Sequence, residues 1–450
     1  MRKLIHFSMG FFALLLKFLS PLEAMICAVA AFLHNLYIFP FYGRRKIEKD
    51  FEKEKRYSAI VSYPAVVFFI ILFSYLTNFK DIKMAMAVAA SSWAVLSFGD
   101  SVAGFLGKIL GGPRLLWNKE KTWAGSISFF IFSGLFSYPF FNYTLEKKIF
   151  DSDAKLLMLT LLCAFCCAVV ESLSGQYDDN ISFPFVAFSI FSLYSCFDFK
   201  GMKQSLFVFN LDNNLNAIFL FTLVSINFGF ALVAYLKKWV DLKGFLFGLF
   251  LGFVVILSRG IKGYIVLILF FLIANFSTFY RKKLKEERGI EEENKGRRGI
   301  ESVFSKGLAP MVFSFFSFEA FALCLSFYAS DTVATEFGKT SQGKTFSLIE
   351  LKEVAPGISG AVTLKGTFYG ILSIFVFNLI SLFDYNSRQI NIKFFLISVV
   401  LVAMFFFIES IINDINKRIR VTSKVLIHIV LGFLLCAFSS AISCFAGSGS

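Results

Sequence analysis

Gly99–Ser126 reads GDSVAGFLGKILGGPRLLWNKEKTWAGS. It holds an acidic residue, small residues at helical spacing, a Gly-Gly-Pro break and two lysines, and apolar runs bracket it on both sides. A bilayer crossing needs about 20 mainly apolar residues. Such runs recur from Phe7 to Phe445 with short polar breaks, about a dozen in all. They are too long for strands and must satisfy their backbone internally, so they read as helices. The fold class that follows is all-α: a polytopic integral membrane protein. Of the 450 residues 57% are hydrophobic, 17% are charged and 63 are Phe, which excludes an ordinary soluble domain.

The formal net charge of +14 sits mostly in inter-helix loops, where Lys and Arg set orientation and meet lipid headgroups or substrate phosphates, so nucleic acid is not the expected partner. All eight cysteines fall in apolar segments and read as small buried hydrophobes. Three scattered histidines speak against a His-based metal site. Met1–Ala24 resembles a signal peptide, but Lys17 and Pro21 interrupt it and further spans follow, so a retained first helix is expected.

Arg44–Arg56 and Arg281–Arg298 are strongly basic and face the cytoplasm by the positive-inside tendency. Counting spans outward puts Gly112–Thr122, Ser174–Ser182 and Lys237–Lys243 on that side and Asn142–Asp153 on the other. Lys237–Lys243 is the expected boundary between two helical halves, 1–237 and 238–450, with a charged cytoplasmic loop at 281–300. Counting fails across Val303–Tyr328. There Pro310, Ser314 and Ser317 favour two short half-spans or a re-entrant pair, which returns Asp331 to the cytoplasmic face.

Around the opening stretch, Asp100, Ala103, Gly104, Gly107 and Gly111 share a helix face. Such a stripe either packs helices closely or lets a nucleotide's phosphates approach the backbone, and a costly carboxylate favours the second reading. Lys119, Lys121 and Thr122 lead into a helix whose N-terminal N–H groups, near Gly125 and Ser126, suit an oxyanion. Taken alone, that loop reads equally as a snorkelling interfacial segment. Glu171, Asp178, Asp179 and Asn180 follow on the same membrane side. Carboxylates there can hold Mg²⁺ on a nucleotide, with Asp100, Glu171 and Asp179 as ligands, and orient an attacking hydroxyl.

GDSVAGFLGK, NKEKTWAGSI and VESLSGQYDDNISFP resemble the blocks of the phytol kinase and dolichol kinase family, related to phosphatidate cytidylyltransferases. The resemblance covers about Leu22–Tyr235. It implies phosphoryl transfer from CTP, ATP or another nucleoside triphosphate to a lipid alcohol, with roles for Asp100, Lys119, Lys121, Glu171, Asp179 and Asn180.

A second candidate region holds Asp331, Thr332, Glu336, Lys352, Gly357, Gly360 and Lys365. Asp331 and Glu336 point away from one another on a regular helix, so they cannot share one ion. Pro356-Gly-Ile-Ser-Gly360, with Lys352 and Lys365 nearby, has the exposed N–H groups of an anion site, or is plain turn chemistry. ASDTVATEFG and KEVAPGISGAVTLKGT resemble the membrane family of domain of unknown function 92, which includes the plant phytyl-phosphate kinase. That resemblance implies a second phosphorylation, prenyl phosphate to diphosphate. The sequence departs from the family pattern at Ser302, Lys306 and Gly307, and again at Glu409-Ser-Ile-Ile-Asn413.

The expected activity is thus a bacterial-type inner-membrane lipid kinase working at the cytoplasmic face on a lipid alcohol or lipid phosphate. A phosphatidate cytidylyltransferase-like synthesis of CDP-lipid is the alternative within the superfamily. A lipid-phosphate transporter or flippase is the alternative of another class.

Overall fold

The computed structural model describes residues 2–42, 59–149, 152–174, 181–196, 214–290, 296–358, 360–381, 391–419 and 422–447. Nine helices among these are long and apolar enough to cross a membrane, against the dozen expected. The difference lies in short elements. Phe7–Leu19 breaks into α1 (Arg2–Gly10) and a 3₁₀ turn at Phe11–Lys17. Ser182–Cys196 and Leu364–Leu379 stay below a full crossing.

The chain divides into two compact units, Met1–Phe197 with Val421–Leu426, and Asp198–Arg420 with Ile427–Ser450. The helix that ends at Leu236 therefore falls in the second unit, whereas the sequence reading assigned it to the first half.

In the first unit, α2 (Pro21–Tyr42), α3 (Ala59–Thr77), α4 (Ile82–Ile109), α5 (Trp123–Thr144), α6 (Ala154–Leu173) and α7 (Ser182–Cys196) follow α1. α4 is the axis: residues 85–101 are all buried, and Ala and Ser at much of that length let its neighbours come close. Before Asp100 the helix widens into a π turn at Val95–Gly99, a distortion frequent at functional sites. α1 lies against that turn because Gly10 has no Cβ; one there would sit 2.7 Å from the Phe98 ring and from Ser97.

The second unit contains α8 (Asn214–Leu236), α9 (Leu242–Phe279), α10 (Lys282–Glu287), α11 (Ile300–Phe313), α12 (Phe318–Lys339), α13 (Leu364–Ser381), α14 (Ile392–Ile419) and α15 (Lys424–Gly447). A small antiparallel sheet of order β2-β1-β3 joins β1 (Thr345–Ser347), β2 (Glu353–Val354) and β3 (Ala361–Thr363), with Thr345 opposite both Val354 and Thr363. Here α12 is the axis, buried without interruption over residues 320–333. α13 crosses it closely, since a Cβ on Gly366 would lie 2.6 Å from the Ala334 carbonyl oxygen.

The region 303–328 holds two helices in place of one span, but only the first is short, since α12 runs 22 residues. α11 has 14 residues, about 21 Å, and α12 restarts after a turn capped by the Ser317 hydroxyl. α9 is broken at Gly260, whose φ of 61° and ψ of −151° only glycine adopts readily. The Arg259 Nε–H donates to the Ser314 carbonyl, and the Ser258 hydroxyl bonds that of Ser314 at 2.8 Å. The broken helix and the α11–α12 turn thus satisfy each other's polar groups.

Candidate functional site

Asp100 is 3% exposed, a placement a carboxylate tolerates only when paired. Its partner is Lys3 of α1, whose Nζ lies 2.6 Å from both carboxylate oxygens. One turn on, His6 places Nδ1 3.8 Å from Asp100 Oδ2 and is buried with no hydrogen-bond partner for that nitrogen. Gly104 makes the room: a Cβ there would meet Lys3 Cε at 2.7 Å. Around the imidazole, Trp93 Nε1 donates to the Tyr63 hydroxyl at 2.7 Å, and the Tyr63 and Ser97 hydroxyls share a bond of 2.6 Å.

His6, Tyr63 and Trp93 line a cavity of about 700 Å³ whose remaining walls are mainly apolar side chains of α1, the 3₁₀ turn after it, α2 and α3, among them Met9, Leu16, Ala28 and Val67. A buried imidazole at the wall of an apolar cavity, with a carboxylate behind it, can hold a polar head while the hydrocarbon tail stays among hydrocarbon.

The basic loop forms a separate cluster. Lys121 bonds Glu171, which is 4% exposed at the end of α6. Asn118 Nδ2 donates to the carbonyls of Ser172 and Ser174 at 3.0 and 2.9 Å, tying the loop to that helix end. Lys119 is exposed. The Thr122 hydroxyl caps α5 by accepting from Gly125 N–H at 3.1 Å. Gly107 and Gly125 face one another where α4 meets α5, a Cβ on Gly107 lying 3.2 Å from the Gly125 Cα. That contact is close helix packing. Ser126 keeps a buried hydroxyl with no hydrogen-bond partner. Asp178, Asp179 and Asn180 lie outside the described residues. Of the carboxylates expected to hold Mg²⁺, Asp100 and Glu171 each sit on a lysine, so the described donors form no ready cradle for the ion and no step is derived through it.

The second region separates in the way helix geometry required. Asp331 accepts from Lys306 Nζ at 2.7 Å, and the same ammonium bonds the Thr332 hydroxyl at 2.8 Å. Glu336, 1% exposed, is clamped elsewhere by Lys285 at 2.5 Å and Lys339 at 2.7 Å. Lys365 bonds Thr340 Oγ1 at 2.9 Å, and Lys352 is exposed. Gly357 and Gly360, with φ of 86° and 76°, shape the β2–β3 turn, where a Cβ on Gly360 would lie 2.3 Å from the Asp414 nitrogen. Glu409 and His428 join Asp331, and Asn413 Nδ2 donates to Glu409.

Sequence reasoning missed Lys3, His6, Lys285 and His428. Lys3 and His6 share a face at i,i+3 in a basic, apolar N-terminal stretch, a spacing visible in the sequence once that helix is taken as part of the fold.

Residues 225–439 match the family described as integral membrane protein DUF92. The chain is 29% identical over 205 residues to a probable chloroplastic phytol kinase of Zea mays, covering 42% of this chain and 66% of that one. It is 32% identical over 145 residues to an uncharacterized membrane protein of Synechocystis sp., covering 30% and 56%. To the chloroplastic protein VTE6 of Arabidopsis thaliana it is 30% identical over 131 residues, covering 26% and 39%. The chain therefore matches 39% to 66% of the length of these relatives. No solved structure matches it. This is an all-α integral membrane protein that resembles the phytol kinases and, over residues 225–439, the DUF92 membrane family.

Proposed function

We propose that the protein is a membrane lipid kinase that transfers the terminal phosphate of CTP or ATP, with Mg²⁺ carried on the nucleotide, to a prenol-type alcohol. The observation that carries this reading is His6, which lines the 700 Å³ apolar cavity and stands beside the buried Asp100 carboxylate that Lys3 pairs. The phytol kinase relatives support it. The alcohol's chain lies in the cavity and its hydroxyl at His6. The hydroxyl oxygen attacks the γ-phosphorus, its proton passes to the imidazole, and the bond to the β-phosphate oxygen breaks to release the nucleoside diphosphate. Asp100 steadies the imidazolium that forms, as a carboxylate does beside a catalytic histidine. Lys119 and Lys121 meet the phosphates at the cytoplasmic face of the inner membrane, beside the N-terminus of α5.

The second unit would add the next phosphate, turning monophosphate into diphosphate. The DUF92 match and the ammonium groups of Lys306, Lys339 and Lys365 support that role.

Purified protein in detergent, given γ-labelled CTP or ATP and a short prenol, is expected to yield labelled lipid phosphate and the nucleoside diphosphate. Release of pyrophosphate with a CDP-lipid would replace this reading by cytidylyl transfer. No label transfer, with movement of lipid phosphate across liposomes, would replace it by transport.

A further inference from the structure

The second unit brings Asp331 together with Glu409 and His428, two residues to which the kinase reading gives no role. Asp331 of α12, Glu409 of α14 and His428 of α15 bring one ligand atom each to within 4.8 Å of one another. All three residues are 4% exposed. His428 Nε2 has no hydrogen-bond partner although it faces both carboxylates, at 3.5 Å from Asp331 Oδ2 and 3.4 Å from Glu409 Oε1. A nitrogen donating to a carboxylate closes to about 2.7–2.9 Å. Two ligands on one ion at bonds of about 2.1 Å stand about 3.4 Å apart at tetrahedral angles. The two spacings from His428 to the carboxylates are of the second kind.

Charge points the same way. Asp331 and Glu409 bring two carboxylates into one buried cluster, where like charges disfavour joint ionisation and a divalent cation between them would relieve the repulsion. The supports of both carboxylates are also in position: Asn413 Nδ2 donates to Glu409, and Lys306 Nζ bridges Asp331 Oδ2 and Thr332 Oγ1. Such outer contacts fix the rotamers of metal-ligating groups.

We infer that Asp331, Glu409 and His428 form a binding site for a first-row divalent transition metal of the Zn²⁺ or Mn²⁺ kind. One imidazole with two carboxylates suits those ions, whereas Mg²⁺ takes oxygen ligands in a wider octahedron. Lys306 Nζ bonds Asp331 Oδ2, the oxygen that also faces His428, so the ion would share that oxygen with the ammonium. The site lies within the second unit and stands independently of the kinase reading in the first.

The test is metal content. Full-length protein in detergent is stripped with a chelator, dialysed against Mn²⁺ or Zn²⁺, and measured by mass spectrometry of the bound metal. One equivalent per chain is expected. His428→Gln and Glu409→Gln should bind at least about tenfold more weakly, and Asn413→Ala, which leaves all three ligands, about 10–100-fold. Asp100→Asn should keep the full equivalent, which separates this site from the first unit. Wild-type protein that takes up less than a stoichiometric amount overturns the assignment without reference to any variant's folding. Undiminished binding by a folded His428→Gln protein overturns it as well. A His428 imidazole that NMR finds protonated at neutral pH, with no metal uptake, overturns it by giving the cluster a proton in place of the ion.

Discussion

Asp100 tolerates burial because an ammonium meets both its oxygens, so the consequences of change there are sharp. Lys3→Met removes the partner of a buried carboxylate; since the lysine side chain itself is half-exposed, the expected loss is below that of a fully buried pair, about 1–3 kcal/mol in reversible denaturation of the purified protein. Asp100→Asn keeps the shape and removes the charge beside His6. Under the kinase reading, product formation should fall by about 10²–10⁴-fold while the lipid still binds, measured as turnover at saturating alcohol. An Asp100→Asn protein with undiminished turnover would end that reading. Asp100 was legible in the sequence because a carboxylate inside an apolar run has no structural purpose of its own. Lys3 was not legible, being 97 positions away and part of a basic start that reads as orientation signal. His428 was passed over for a related reason: linear scatter among three histidines says nothing about spatial convergence with Asp331 and Glu409.

The decisive elements are two breaks and two close crossings. Gly260→Ala forces a Cβ into a glycine-only region of backbone space and should cost about 1–3 kcal/mol, read as a lower unfolding midpoint at unchanged denaturant slope. Gly10→Val should lift α1 from the π turn and carry Lys3 and His6 away from Asp100, so turnover falls while the other helices hold. At the far end of α5, Asp153 caps α6 through the Leu156 N–H at 3.0 Å and accepts from Tyr194 at 2.5 Å. Partial burial pushes its carboxyl up, but the Tyr194, Leu156 and Lys147 contacts outweigh this and hold it below the ordinary range. Its stabilising share is therefore complete above about pH 4 and is lost as pH falls through the lowered value, a loss that Asp153→Ala should abolish. Apolar run lengths made these helices readable in advance. The π turn, the 3₁₀ start and the packing roles of Gly104, Gly107 and Gly125 were not readable, because each depends on what the neighbouring helix presents.

Across the whole molecule, each compact unit is built on one helix with a long buried stretch, α4 over residues 85–101 or α12 over residues 320–333, that carries a paired Asp. Single-cysteine variants at Lys119 and Arg288 should react with impermeant reagents only from the cytoplasmic side, and Glu146 only from the opposite side. Labelling of Lys119 from outside would reverse the orientation. The class of fold was legible from composition, because runs of that length and apolarity have only helices to form. The apolar cavity carries one more implication, for kinetics. A lipid tail entering it leaves a bilayer as apolar as the cavity wall, so the transfer gains little from the hydrophobic effect. Apparent affinity should then follow the mole fraction of the alcohol in mixed micelles rather than its bulk concentration. Lengthening an unbranched tail should change it little, while methyl branches that alter the tail's shape should change it more, because dispersion contacts are what remain to discriminate.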